Sequence, residues 1–165
     1  MVILGIDPGY AIVGWGLVRY ERARFTPLAF SAITTPAGMD FPERLQRIYD
    51  EMMVLLTTHR PDAMAVEKLY FKNNQKTAID VAQARGVIML SARQAGVDLY
   101  EYTPLQVKSA VTGFGRAEKP QVMEMTRRLL GLRAVPQPDD TADALAIAIC
   151  HGQTGGTALK RSLMK

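Results

Sequence analysis

Four acidic residues stand where apolar segments end or where a helix begins. Asp7 follows Val-Ile-Leu-Gly-Ile and precedes Pro8-Gly9, Glu67 follows Ala-Met-Ala-Val, and Asp140 and Asp143 lie three apart in DDTADALAIAICH. A carboxylate that ends a rigid strand is fixed at the edge of its sheet, and two carboxylates three apart on a helix share one face. If the two strands are neighbours, all four acids converge. Close carboxylates repel, and one of them takes up a proton unless a cation holds them ionised. Magnesium or manganese would do so, because hard cations prefer carboxylate oxygens and water. Two such ions about 4 Å apart can activate a water and steady the leaving oxygen of an in-line attack on phosphorus. The chemistry indicated is phosphodiester hydrolysis.

Each acid taken alone has a plainer explanation. Asp-Pro-Gly is a common tight turn, Glu67 could pair with Lys68, and Asp139, Asp140 and Asp143 could cap a helix and favour its dipole. The conjunction carries the argument. Asp140 is preferred as third acid because it keeps i, i+3 spacing with Asp143, and Asp139 at i, i+4 stays open as its substitute.

The elements that must hold these acids are legible in the periodicity. Met1 to Asp7, Val13 to Tyr20 and Phe25 to Thr34 read as three strands joined by brief turns, hence an antiparallel meander. Leu45, Ile48, Tyr49, Met52, Leu55 and Leu56 form the apolar stripe of a helix over Pro42 to His59, with Asp40 and Glu43 in capping-box register. Ala63 to Val66 is a short, fully apolar strand suited to a sheet centre. Gln75 to Ala95 is an alanine-rich helix with Gly86 inside it, a composition that lets another backbone come close. Val97 to Tyr102 is a further strand, and Thr103-Pro104 caps a short helix that ends before Gly113. Two more helices follow, one from about Pro120 to Leu130 ended by Gly131, and one from Asp140 to His151 closed by Gly152. Residues 153–165 read as a mobile tail, and 1–152 as a single domain.

The composition is compatible with one such domain and narrows its partners. The chain has 165 residues, of which 48% are hydrophobic and 22% charged, and a net charge of +4 that permits a polyanionic partner without requiring one. No apolar run is long enough to span a membrane, and the opening Met-Val-Ile-Leu-Gly shows no signal-peptide pattern, so a cytoplasmic protein with no membrane partner is expected. Its one cysteine, Cys150, has no partner at disulfide or zinc-ligand spacing and is expected to be buried.

In order along the chain, GIDPGYAIVGWG, AVEKLYFKNNQKTAIDVAQARGV, TPLQVKSAVTGFGRAEKPQV and DDTADALAIAICH together resemble the RuvC family of Holliday-junction resolvases, over roughly residues 2 to 151. The resemblance implies a ribonuclease-H-like α/β fold, a five-stranded mixed sheet whose first three strands are antiparallel, flanked by helices. It implies a homodimeric endonuclease of DNA recombination and repair that cuts four-way junctions symmetrically, with two Mg²⁺ per subunit, or Mn²⁺ in their place, on Asp7, Glu67, Asp140 and Asp143. By motif position it puts Lys108 and Lys119 at the scissile phosphate and Tyr70, beside Phe71, at the junction centre, where aromatic faces can stack on bases. Lys72, Lys76, Arg85 and Arg116 are further candidates for DNA-backbone contacts, and the helix around Ala82 to Ala92 falls near the dimer interface. Partnership with a branch-migration complex of the RuvA and RuvB type is implied by resemblance alone. Glu101 and Glu118 are left outside the site. Tyr10 stands where the family often has a small polar residue. The competing readings are a YqgF-type nuclease acting on RNA and a non-catalytic junction-binding module. An actin-like ATPase would need a second lobe.

Overall fold

The computed structural model describes residues 1–69 and 75–155, and of residues 75 and 76 the backbone alone. Strands β1 (Val2–Asp7), β2 (Ile12–Glu21) and β3 (Arg24–Thr34) are followed by helix α1 (Phe41–His59), strand β4 (Ala63–Glu67), helix α2 (Gln75–Gln94) and strand β5 (Asp98–Tyr102). Helices α3 (Pro104–Thr112), α4 (Lys119–Leu129) and α5 (Asp139–Thr154) complete the order. The strands form one five-stranded sheet in the order β3-β2-β1-β4-β5. β1, β2 and β3 pair antiparallel, whereas β1 with β4 and β4 with β5 pair parallel, which is the mixed sheet expected.

Alternation along the central strands divides the interior into two layers. Leu4 and Ile6 of β1 and Met64 and Val66 of β4 face α1 and α2, where they meet Ile48, Met52 and Leu56 together with Ala84, Ile88 and Ala92. Ile3, Ala63 and Ala65 face the other way, into a core built with α5 and with Val107, Val111 and Val122 of α3 and α4. Burying a large apolar side chain contributes roughly 1.5 to 3 kcal/mol. Ile48, Met52 and Leu56, at 0 to 2% exposure, therefore fix α1 against the sheet.

The edge strand β3 breaks register with β2 between Leu17 and Val18, next to Pro27. Two readings of helix ends change. Asp40 does occupy the N-cap of α1 but makes no side-chain cap bond. Pro42 takes the second helical position, so one of the two N–H groups that a cap side chain ordinarily receives is missing. At the other end of the chain, α5 runs through Gly152 to Thr154 and closes on Gly155 with φ 70°. Gly152 serves packing instead: a Cβ there would come 2.5 Å from the Phe25 ring. Gln153 and Thr154, expected in the tail, are thus helical, and residues 156–165 lie outside the described residues. Cys150 is buried as expected, which pushes its thiol up to about 12. Among the described residues, no helix is long and apolar enough to cross a membrane.

Candidate active site

The site begins with a pair across two strands. Asp7, the last residue of β1, lies opposite Gly14 of β2. The Asp140 carbonyl stands directly over that glycine, and a Cβ on Gly14 would come within 2.0 Å of it. On the same helix face, Ala144 and Ala148 lie over Gly5, where a Cβ would come 2.0 Å from the Ala144 carbonyl, and Leu145 lies over Gly16. Residues 140, 144 and 148 recur every four positions and so form one stripe. Glycine in the strands lets the helix backbone touch the sheet, and the first turn of α5 reaches the level of Asp7. Glu67 arrives from the neighbouring parallel strand, one position past the Ile6–Val66 pair, on the face shared with α5.

Electrostatics register the convergence. Burial raises the Asp7 carboxyl well above its ordinary range, and the charges of Asp143, Glu67 and Asp140 push it further, against Lys119. Glu67 is pushed up to about 7 by burial and then by Asp143, opposed by Lys108 and Lys119. Asp143 is raised by burial too, with Lys119 working against the shift. Of the acidic doublet, Asp140 is the member whose charge bears on Asp7. Asp139 is half exposed and pairs with the Lys119 ammonium at 3.5 Å.

The expected lysines line the same opening. A Thr103–Gln106 capping box, with Pro104 in the first turn, starts α3 and sets Lys108 one turn in. Lys119 opens α4, whose start is fixed by the bond from the Glu118 N–H to Gln121 Oε1 at 2.9 Å. Its Nζ lies 3.0 Å from Asp143 Oδ2. Burial lowers the affinity of Lys119 for its proton, and the hydrogen bond and charge of Asp143, with Asp139, more than offset this. Glu67, Lys108, Lys119 and Asp143 share a cleft of about 230 Å³ with Pro104, Val107, Val122 and Ile147. Sequence reasoning had no signal for these apolar walls.

The donors are all oxygen and partly desolvated, which fits a hard divalent cation. Among the described residues, no three acidic, imidazole or thiol groups stand close enough to enclose an ion as they are. Close carboxylates stay ionised together only with a neutralising charge beside them, and here the Lys119 ammonium supplies part of it.

Other expected residues fall elsewhere. Arg116 is exposed in the loop three residues before Lys119. Arg85 stands behind the sheet, its side chain 15% exposed and paired with Glu101, an acid the sequence reading set aside. Tyr70, Phe71 and Lys72 lie outside the described residues, as does the Lys76 side chain. Tyr10 finds its reason in packing. Its ring meets Phe41 edge-on at 6.0 Å, the Arg44 guanidinium lies 5.8 Å from the ring centre, and Thr35 Oγ1 donates to its carbonyl at 2.7 Å. These contacts tie the turn after Asp7 to the start of α1.

The profile of the family described as "Crossover junction endodeoxyribonuclease RuvC" matches residues 3–151. The chain belongs to the RuvC family. Among curated RuvC proteins, each described as a crossover junction endodeoxyribonuclease, the one from Brevibacillus brevis is 58% identical over 153 residues, covering 93% of this chain and 92% of its own. The RuvC of Ruminiclostridium cellulolyticum is 53% identical over 154 residues, covering 93% of each chain. A solved Thermus thermophilus RuvC in complex with Holliday junction substrate is similar over 96% of this chain and 97% of its own, at 36% identity and a TM-score of 0.87. The likeness to RuvC thus extends over the sheet and over α5, the elements that carry the four acids.

Proposed function

We propose that this chain is a Holliday-junction endonuclease that hydrolyses phosphodiester bonds at four-way DNA junctions, using divalent cations held by Asp7, Glu67, Asp140 and Asp143. The observation that carries this reading is the meeting of four acids from β1, β4 and α5, with burial and three neighbouring carboxylates raising Asp7, in a chain of the RuvC family. Bound there, two Mg²⁺ ions, or Mn²⁺ in their stead, supply activation of water and charge stabilisation of the departing oxygen. The protein's part is placement: strand ends hold Asp7 and Glu67, and the first turn of α5 holds the other two. Lys119 and Lys108, at the mouth of the cleft, meet the scissile phosphate, and Lys119 exchanges its carboxylate partners for phosphate oxygens as substrate enters. Arg116 meets the DNA backbone, as do Lys72 and Lys76 on the motif's evidence. Tyr70 and Phe71 stack on bases at the junction centre.

Paired incisions call for two sites related by a twofold axis. The outer face of α2 offers the surface for a second copy: Ile79 and Leu90 are 64% and 51% exposed, and nothing stands within 4 Å of a Cβ placed on Gly86. The inner half of that helix, with Ala84, Ile88 and Ala92, is core. The DNA substrate puts the protein in the cytoplasm, with a RuvA and RuvB type motor as the expected source of junctions. Residues 1–152 carry the nuclease domain on this reading, and helix α5 extends it by two residues.

The test is a nuclease assay on a four-way junction, a linear duplex and an RNA–DNA hybrid, each with Mg²⁺, Mn²⁺ or chelator. Metal-dependent, symmetric nicking of the junction in preference to the duplex is expected. Cutting of the hybrid alone would assign the chain to RNA, and binding without cutting under any metal would make it a junction-binding module.

A further inference from the structure

Arg85 approaches the site from the side of the sheet opposite to the acids. Its Nε donates to the backbone carbonyl of Glu67 at 3.1 Å, Nη2 donates to Glu101 Oε1 of β5, and Nη1 contacts Met89 Sδ at 3.1 Å. All three guanidinium nitrogens are engaged. Both side chains of the ion pair are 15% exposed, so the guanidinium is not offered to solvent. β4 and β5 pair with Val66 opposite Glu101 and Glu67 opposite Tyr102, and the last bond of this ladder runs from the Lys68 N–H to the Tyr102 carbonyl at 2.8 Å. The Glu67 carbonyl is therefore at the point where strand support stops.

We infer that Arg85 is a positioning residue for Glu67: clamped by Glu101, it fixes the peptide plane that follows Glu67 and so aims the Glu67 carboxylate from behind the sheet. An ion pair taken largely out of water returns little net stability. Geometry is what it contributes, and a planar, permanently charged fork suits that role better than an ammonium on a flexible stem. Because α2 also carries the outer face assigned above to the partner copy, the same helix links that face to one acid of the centre. The inference rests on the reading of Glu67 as a metal ligand.

The full chain serves for the test, with Arg85→Met, Arg85→Lys and Glu101→Gln. Mn²⁺ binding is followed by titration calorimetry, and four-way junction binding is measured in chelator. Loss of a group that orients a metal ligand typically weakens the metal roughly 10- to 100-fold. Arg85→Met is expected at the lower end of that range, with Arg85→Lys recovering part of the loss, Glu101→Gln weakening Mn²⁺ several-fold, and junction affinity in chelator unchanged within about twofold. Unchanged Mn²⁺ affinity in Arg85→Met would overturn the inference. So would a loss of junction affinity with intact Mn²⁺ binding, which would make Arg85 a DNA contact. If Arg85→Met does not fold, the other two variants decide by the same measurements, and wild-type Mn²⁺ affinity in both would overturn the inference. Absence of Mn²⁺ binding by the unsubstituted protein would bring down the metal-centre reading together with this one. Tight binding there with no change in the variants would remove only the role of Arg85.

Discussion

Burial and neighbouring carboxylates disfavour the ionised forms of Asp7 and Glu67 in the bare protein. A carboxyl whose folded pKa is raised, such as Glu67 at about 7 against 4.5, binds more protons folded than unfolded between those values. Stability in chelator therefore falls as pH rises from about 4.5 to about 7, by at most about 3 kcal/mol for this one group. Asp7→Asn and Glu67→Gln remove a repelling charge. Both are expected to melt above wild type in chelator at pH 8, with the advantage vanishing below the ordinary values of 4.5 for Glu67 and 3.8 for Asp7, and both are expected to bind junction but lose cleavage. The checks are thermal melts across pH and single-turnover cutting. A variant that cuts at the wild-type rate would remove its residue from the centre. Saturating Mg²⁺ is expected to reverse the ranking, since only the intact acids gain from the cation.

At the scale of elements, the site is a matter of how near α5 can come to β1 and β2. A methyl on Gly14 would meet the Asp140 carbonyl at 2.0 Å, a backbone atom that cannot swing aside. Gly14→Ala is expected to lower stability by about 1 to 3 kcal/mol through overpacking. Cleavage should fall far more than that loss explains, because the displaced turn carries Asp140. Melting and cutting measured on one preparation check this, and a normal cutting rate would show that the close contact is not what places the acid. Much of this architecture was legible beforehand. Apolar strands ending in Asp7 and Glu67 and the acids of DDTAD pointed to the candidate ligands, with Asp140 preferred but Asp139 left open by spacing alone, and short turns named the meander. The purpose of the glycines was hidden, since a glycine in a sequence does not say what backbone lies over it. Gly152 misled for the same reason: its smallness answers to Phe25 rather than to the end of a helix. Tyr10 and the Arg85–Glu101 pair were out of reach as well, because their partners lie on other elements and leave no local spacing.

For the whole molecule, the outer face of α2 should decide the oligomeric state. Leu90→Glu combined with Ile79→Glu places two charges on a surface that is apolar and open in the single chain. A shift from dimer to monomer is expected in sedimentation, with single nicks replacing paired ones on the junction. A dimer that survives both changes would move the interface elsewhere. The open helical face has a contrast at the sheet's β3 edge. Exposed edges invite extra strands from other chains. Here that edge carries Pro27, which has no N–H to donate, next to the register break between Leu17 and Val18. A foreign strand laid along β3 would meet an irregular backbone there. The irregular edge thus makes the sheet a poor template for a fibre.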